Sequence, residues 1–271
     1  HPWCTRATRG LTAHVTSYEI DPRRRAISSA VMRSSPCRPM ITTSSPPRST
    51  ASGPRSTATR SIDTVPTTGT SSRILLMGDS LMATNRGSGL AVGNALERAL
   101  GEDVIDRSVV GAQYSWALPV SGAAGMSIPK QYVPGPWKIV VMNGGGNDLL
   151  FGCGCTKCTA TLEALISSDG RSGAIPANVA RIRQSGARVI HTGYLRTPGF
   201  QSPIENCAPI GVEFERRLAR MARLDPGVDF VSLADLVPEG DTSYHQADRI
   251  HPSPKGGAAV AQRIAQVLKK R

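Results

Sequence analysis

From Arg73 onward the chain alternates short apolar runs with stretches whose apolar residues recur at helical spacing. That alternation restricts the fold more than any other feature. Ile74-Leu75-Leu76-Met77 is a continuous apolar run stopped by Gly78, the pattern of a strand buried on both faces. Between about Gly89 and Leu100, apolar residues repeat at helical spacing (Leu90, Val92, Ala95, Leu96, Ala99) and end at Gly101. Val104-Ile105 with Val109-Val110 marks a second strand region, and residues 138–143 a third. A helix over about 176–185, a strand over 188–192, a helix over about 211–224, a strand over 228–232 and a helix over about 255–269 complete the series. Strands alternating with helices of ten or more residues specify βαβ units. Right-handed crossovers then give an α/β fold, a parallel sheet covered on both faces. Ligands of such folds bind beyond the carboxyl ends of the strands. The most unusual loops fall there: after Met77, after Val110, after Asn143 and before the last helix.

The first 72 residues are a different polymer. They hold ten Arg, no Lys and three acids, so they carry +7 of the chain's net +12. Ser and Thr make up 26 of them, and no period of 3.6 or 2 is sustained. Such a segment cannot bury enough apolar surface to offset its ordering entropy. Residues 1–72 are therefore expected to be disordered, and 73–271 to form one domain. An arm of this charge could meet nucleic acid. With few aromatics to stack bases and no Lys cluster, a solvated linker is the better reading, and no nucleic-acid partner is expected. No stretch approaches the roughly 18–20 apolar residues of a membrane-spanning helix. No apolar core of about 7–15 residues marks a signal peptide.

The loop Gly78-Asp79-Ser80-Leu81 puts a hydroxyl and backbone N–H groups at the mouth of the sheet. A serine attacks only when a general base takes its proton. Asp248-Arg249-Ile250-His251 supplies the candidates: an imidazole before the last helix and a carboxylate three residues earlier that can hold its Nδ1–H. Gly111 and Asn147 follow strands and could supply hydrogen-bond donors to an oxyanion. Ser80 could instead be only a helix cap and Asn147 only a turn cap; their partners argue against both readings. Asp79 is read as a loop-bonding residue and His191 as structural. His245 lies near the site loop and is weighed as a substrate contact, the structural reading being favoured. Gly87-Ser88-Gly89 with Gly93 has the wrong spacing for a dinucleotide loop.

Together these segments resemble the SGNH hydrolases, also called the GDSL esterase/lipase family. Gly78-Asp79-Ser80-Leu81 is similar to the first block of that family and Gly111 to the glycine of the second. Gly145-Gly146-Asn147-Asp148 is similar to the third block, and Asp248-Arg-Ile-His251 to the fifth. The blocks occur in family order over 78–251. The resemblance implies a flavodoxin-like three-layer α/β/α sandwich with a central five-stranded parallel sheet. It implies Ser80 as nucleophile, His251 as general base, Asp248 as its partner, and Ser80, Gly111 and Asn147 as the oxyanion hole. It also implies hydrolysis of esters through an acyl-enzyme, with no metal and no organic cofactor. Met82-Ala83-Thr84-Asn85 departs from the longest form of the first block. The G-x-S-x-G elbow of the α/β-hydrolases is absent around Ser80.

The cysteines divide as the charge does: Cys4 and Cys37 lie in the first segment, and Cys153, Cys155, Cys158 and Cys207 in the domain. Two disulfides, one of them joining the 153–158 loop to Cys207, compete with a zinc site and with free thiols. Disulfides are favoured, because Cys153 is too close to Cys155 and Cys207 stands alone for zinc; the pairing stays open. Disulfides would place the protein in the periplasm or outside the cell, the alternative being cytoplasmic. Segments 113–136 and 151–175, rich in Gly, Pro and Ser, are expected to shape the pocket. Their few large apolar residues point to small, acetyl-type acyl groups on a small-molecule or glycan ester. The alternatives are a lysophospholipase or thioesterase of the same fold, or a non-catalytic carbohydrate- or lipid-binding module. A monomer is expected.

Overall fold

The computed structural model describes residues 72–116, 120 and 123–270. The expected disorder of the N-terminal segment concerns residues outside these, apart from Ser72. That residue already belongs to the fold, since its Oγ donates to the Asp103 carbonyl at 2.7 Å.

Five parallel strands form one sheet in the order β2-β1-β3-β4-β5. They are β1 (Ile74–Met77), β2 (Val104–Asp106), β3 (Ile139–Met142), β4 (Arg188–Thr192) and β5 (Val228–Val231). This is the flavodoxin-like doubly wound order. The run Ile74–Met77 is buried at every position because it lies inside the sheet with helices on both faces. Its alternate residues feed two cores. Leu75 and Met77 join Val140, Met142 and Val189 on one face; Ile74 and Leu76 join Val141 and Ile190 on the other.

Among the described residues there are eight α-helices. On the first face lie α5 (Thr159–Leu165), α6 (Ala174–Arg183) and α7 (Ala208–Ala222), which contribute Leu162, Leu165, Ile175, Val179, Phe214 and Leu218. On the second lie α1 (Ser80–Ala83), α2 (Val92–Leu100) and α8 (Pro254–Lys269), with Val92, Leu96, Val260, Ile264 and Leu268. Each fully buried Leu or Ile contributes about 1.5–3 kcal/mol, and this burial at 3.6-residue spacing holds the layers together. Two further helices lie in loops, α3 (Ile128–Gln131) and α4 (Gly146–Cys153). Helix α8 starts as its sequence dictates, with Pro254 in the first turn and Ser253 accepting from the Gly256 N–H. No helix among the described residues is long and apolar enough to cross a membrane.

Two expectations need correction. The second strand stops at Asp106, and Val109-Val110 is not part of it. Asp106 Oδ1 accepts from both the N–H (2.9 Å) and the hydroxyl (2.6 Å) of Ser108. That local bonding competes with the ladder and turns the chain off the edge. The helix expected from Gly89 begins at Val92, because Arg86–Ser88 forms a separate turn of 3-10 helix.

Candidate active site

Strand β1 ends at Gly78, whose φ of +142° and lack of a Cβ are both required. A Cβ there would fall 1.9 Å from Asn143 Oδ1. The close approach lets Asn143, just past β3, grip the first loop. Its Oδ1 accepts from the Asp79 N–H at 3.1 Å, and its Nδ2 donates to Asp79 Oδ1 at 2.7 Å. Asp79 also caps α1 by accepting from the Leu81 N–H at 3.0 Å. Ser80 is thus the first residue of a helix, where N–H groups have no partner within the helix.

Asp79 is buried, and burial pushes its carboxyl up from the usual range, while bonds from Tyr194, Asn143 and Leu81 pull against that rise. Tyr194 was not singled out from the sequence. Its hydroxyl donates to Asp79 Oδ2 at 2.5 Å and accepts from the Gly146 N–H at 2.9 Å. Burial, and then the neighbouring Asp79 charge, push the phenol well above its ordinary value. One tyrosine after β4 therefore couples the Ser80 loop to the Asn147 helix. A Cβ at Gly146 would stand 2.7 Å from that ring, so the close approach needs glycine there.

The spacing of Asp248 and His251 is explained by a turn. Asp248 Oδ1 accepts from the N–H groups of Ile250 and His251, both at 3.0 Å. Its Oδ2 is thereby aimed at His251 Nδ1, 2.5 Å away. Arg249 takes a left-handed conformation, φ +59°, to close this turn. Burial alone would raise the Asp248 carboxyl. The bonds from the His251 ring and the two N–H groups outweigh it and hold the pKa below the usual value. An ionised Asp248 accepts, so Nδ1 is the ring nitrogen that donates and Nε2 is left on the other side of the ring. Asn85 ties this loop to the first one: Nδ2 donates to the Pro252 carbonyl at 3.0 Å, and Oδ1 accepts from Gln246 at 2.9 Å.

Ser80, Asn147 and His251 line one cavity of about 350 Å³. Asn147 Nδ2 donates to the Ala112 carbonyl at 3.1 Å. Its neighbour Asp148 accepts from the N–H groups of Tyr114 (3.0 Å) and Ser115 (2.8 Å), pinning the loop after Gly111 to α4. Gly111 itself does not line the cavity. His245 is buried outside the cavity lining. His191 is fully buried in β4, where burial lowers its pKa to about 4.

The expected pocket walls also need correction. Among the described residues, none of 113–136 lines the cavity, and 151–175 contributes Cys155 alone. Much of the wall comes from 194–215, in the crossover between β4 and β5, where the sequence gives only a helix over about 211–224. The cysteines pair as Cys153–Cys158 and Cys155–Cys207. That pairing leaves these four thiols unavailable to zinc. Cys4 and Cys37 lie outside the described residues.

The GDSL-like Lipase/Acylhydrolase family model matches residues 76–259, more than half of the chain. The chain belongs to that family, and its five-stranded parallel sheet lies between two layers of helices. Solved structures show the same fold at low identity. A candidate acylhydrolase from Bacteroides fragilis aligns with a TM-score of 0.52 at 20% identity, over 74% of this chain and 88% of that one. A candidate platelet activating factor protein from Streptococcus pneumonia aligns with a TM-score of 0.51 at 16% identity, over 74% and 86%. A carbohydrate esterase family 2 enzyme with its carbohydrate-binding domain, from Corynascus thermopiles, aligns with a TM-score of 0.50 at 18% identity, over 74% and 66%. No curated protein matches the chain.

Proposed function

We propose that this hydrolase is a serine esterase in which Ser80 attacks the ester carbonyl, His251 takes and returns the proton, and Asp248 orients His251. The observation that carries the reading is the 2.5 Å bond between His251 Nδ1 and Asp248, on a loop that shares one cavity with Ser80 and Asn147. Asp248 stays ionised, which leaves Nε2 as the base. As Ser80 Oγ bonds to the acyl carbon, the carbonyl oxygen gains charge. The Ser80 and Gly111 N–H groups and Asn147 Nδ2 meet that charge in this reading, although Gly111 lies outside the cavity lining. The tetrahedral intermediate expels the alcohol, which takes its proton from His251. Water, deprotonated by His251, then releases the acid.

The alcohol is a small molecule or a glycan hydroxyl. A lysophospholipase or thioesterase is a second reading, favoured by the apolar residues along the 194–215 wall. Two disulfides fit an oxidising compartment, the periplasm or the outside of the cell. The test is Ser80→Ala against a short chromogenic ester. Activity should vanish while the thermal transition is kept; a fully active variant refutes the assignment.

A further inference from the structure

The cavity that holds Ser80 and His251 carries a charge that nothing in it neutralises. Three carboxyls line it, Asp79, Glu205 and Glu215, against one guanidinium, Arg196. Asp79 is bonded by Tyr194, Asn143 and the Leu81 N–H. Glu215 pairs with Arg196 at 3.0 Å and accepts from the Ser232 hydroxyl at 3.2 Å. Glu205 has no such support. Its Oε2 accepts from the Thr197 hydroxyl at 2.7 Å, a neutral donor, and its Oε1 is buried without a hydrogen-bond partner. Arg249, on the His251 loop, does not serve it. That guanidinium lies over the Phe200 ring, 5.4 Å from its centre, and its Nη1 is also without a partner. A carboxylate withdrawn from water without a cation or a set of donors is costly, so it calls for a reason. The whole chain is basic, at +12, yet this cavity holds an excess of acid.

The carboxylate stands on a held segment. Glu205–Cys207 is a turn of 3-10 helix that runs straight into α7. Cys207 is bonded to Cys155, which follows α4, and Asn206 Nδ2 donates to the Gly154 carbonyl at 3.3 Å. Glu205 is thus kept at a fixed place on the wall. Ile204, Ile210 and Phe214 make much of that wall apolar, so little there screens the charge.

An anionic group in this cavity meets like charge. A neutral hydroxyl offers a hydrogen bond and leaves the charge standing. A protonated amine supplies both a donor and the opposite charge. Oε2 keeps a lone pair beyond the Thr197 bond, and the charge is shared by both oxygens, so the amine needs to reach only one edge of the group. The gain grows along the reaction. When Ser80 adds to the ester, the oxyanion brings a further negative charge into the cavity, and a bound cation then opposes two charges instead of one.

We infer that Glu205 is a subsite for a cationic group, and that the preferred substrates are esters carrying a protonated amine. The inference rests on the esterase reading for turnover; ammonium binding itself does not. The amine can sit on the alcohol or on the acyl side, and two substrate pairs separate the sides.

The experiment measures kcat/KM by proton release for 3-(dimethylamino)propyl acetate against 4-methylpentyl acetate, and for ethyl 4-(dimethylamino)butanoate against ethyl 5-methylhexanoate. Each pair has one shape and differs by the charge. In one pair the cationic ester should exceed the neutral one about tenfold or more. Glu205→Gln keeps an acceptor for Thr197 and removes the charge, and should bring that ratio close to one. Glu102→Gln removes the same charge from an exposed position outside the cavity lining and should leave the ratio as it is. N,N-dimethylbutylamine hydrochloride, titrated calorimetrically into Ser80→Ala, reads ammonium binding without turnover, and adding Glu205→Gln should weaken it about tenfold. If Ser80→Ala still hydrolyses esters, the esterase reading fails, and the titration still decides on the subsite. Wild-type ratios at or below one in both pairs would overturn the inference, as they would if Arg249 swung onto Glu205 and neutralised it; that comparison needs no variant to fold. An unchanged ratio in Glu205→Gln, or equal amine binding with and without Glu205, would overturn it too.

Discussion

Replacing Tyr194 by Phe tests whether the site is held by the tyrosine bridge. The substitution removes one oxygen and leaves the ring that packs on Gly146. Two bonds are lost: the 2.5 Å donation to Asp79 Oδ2 and the 2.9 Å acceptance from the Gly146 N–H. Only one of the stranded groups lies in the interior, because Gly146 is half-buried and lines the cavity. Asp79 is 1% exposed and already carries a carboxyl whose pKa burial raises. A buried group left without its partner costs about 1–3 kcal/mol, more when charged. The one buried group, Asp79, gives about 1–3 kcal/mol, or roughly 2–12 °C in Tm for a domain of this size. Urea unfolding of the single variants and of Tyr194→Phe/Asp79→Asn closes a double-mutant cycle. The asparagine keeps Oδ1 for Leu81 and removes the charge that Tyr194 serves. The cycle should return a coupling of at least about 1 kcal/mol. A Tyr194→Phe cost below about 1 kcal/mol, or strict additivity, would show that Asp79 finds its satisfaction elsewhere.

Asp248→Asn keeps an oxygen for the Ile250 and His251 N–H groups but presents an amide donor to His251 Nδ1, favouring the wrong tautomer. On the esterase reading kcat should fall about 10³–10⁴-fold with the fold intact, and a loss under tenfold would remove Asp248 from the relay. His191, with its pKa held down to about 4 by burial, resists a proton that the unfolded chain accepts near 6.5. Stability should therefore fall as pH drops from 6.5 toward 4, by about 3 kcal/mol from this group. His191→Leu should make that slope shallower, and parallel unfolding profiles would refute the argument. Gly78→Ala places a Cβ 1.9 Å from Asn143 Oδ1 and should cost about 3 kcal/mol or more. Gly101→Ala, also at positive φ but with nothing within 4 Å of the added carbon, should cost about 1 kcal/mol in the same urea titration. Equal costs would show that strain alone, not the Asn143 contact, fixes Gly78.

The layers were legible because burial on both faces leaves a strong mark in sequence. Ile74–Met77 is apolar at every position since neither side of β1 meets water. Arg188–Thr192 was placed to the residue for a related reason, four of its five positions being buried. Where local side-chain chemistry outweighs pattern, the reading failed. Asp106 and Ser108 ended β2 while the apolar pattern of Val109-Val110 continued. Helices α4 and α5 escaped notice because one starts on glycine and is followed by a disulfide loop, and the other is only seven residues long. The cavity wall was the largest omission. Residues 194–211 carry no motif; they line the site only because β4 delivers the chain to the end of the sheet where the other loops gather.

The recognisable blocks are legible for a reason that the bonds make plain. In two of the blocks, the residue beside the reactive candidate holds a different loop. Asp79, next to Ser80, is bonded to Asn143 and Tyr194. Asp148, next to Asn147, holds the chain after Gly111. Asn85, beyond α1, holds the loop of His251. On the esterase reading, a nucleophile, a base and an oxyanion donor from three distant segments must agree in position to within about 0.5 Å, and no single loop can set that agreement. Each strut needs a short side chain of one hydrogen-bonding type, so Asp and Asn recur where a hydrophobic pattern would never place them. Tyr194 performs the same task from a segment without a motif. It serves two loops with one hydroxyl, and nothing in the chain around it signals that the partner across the sheet is a carboxylate.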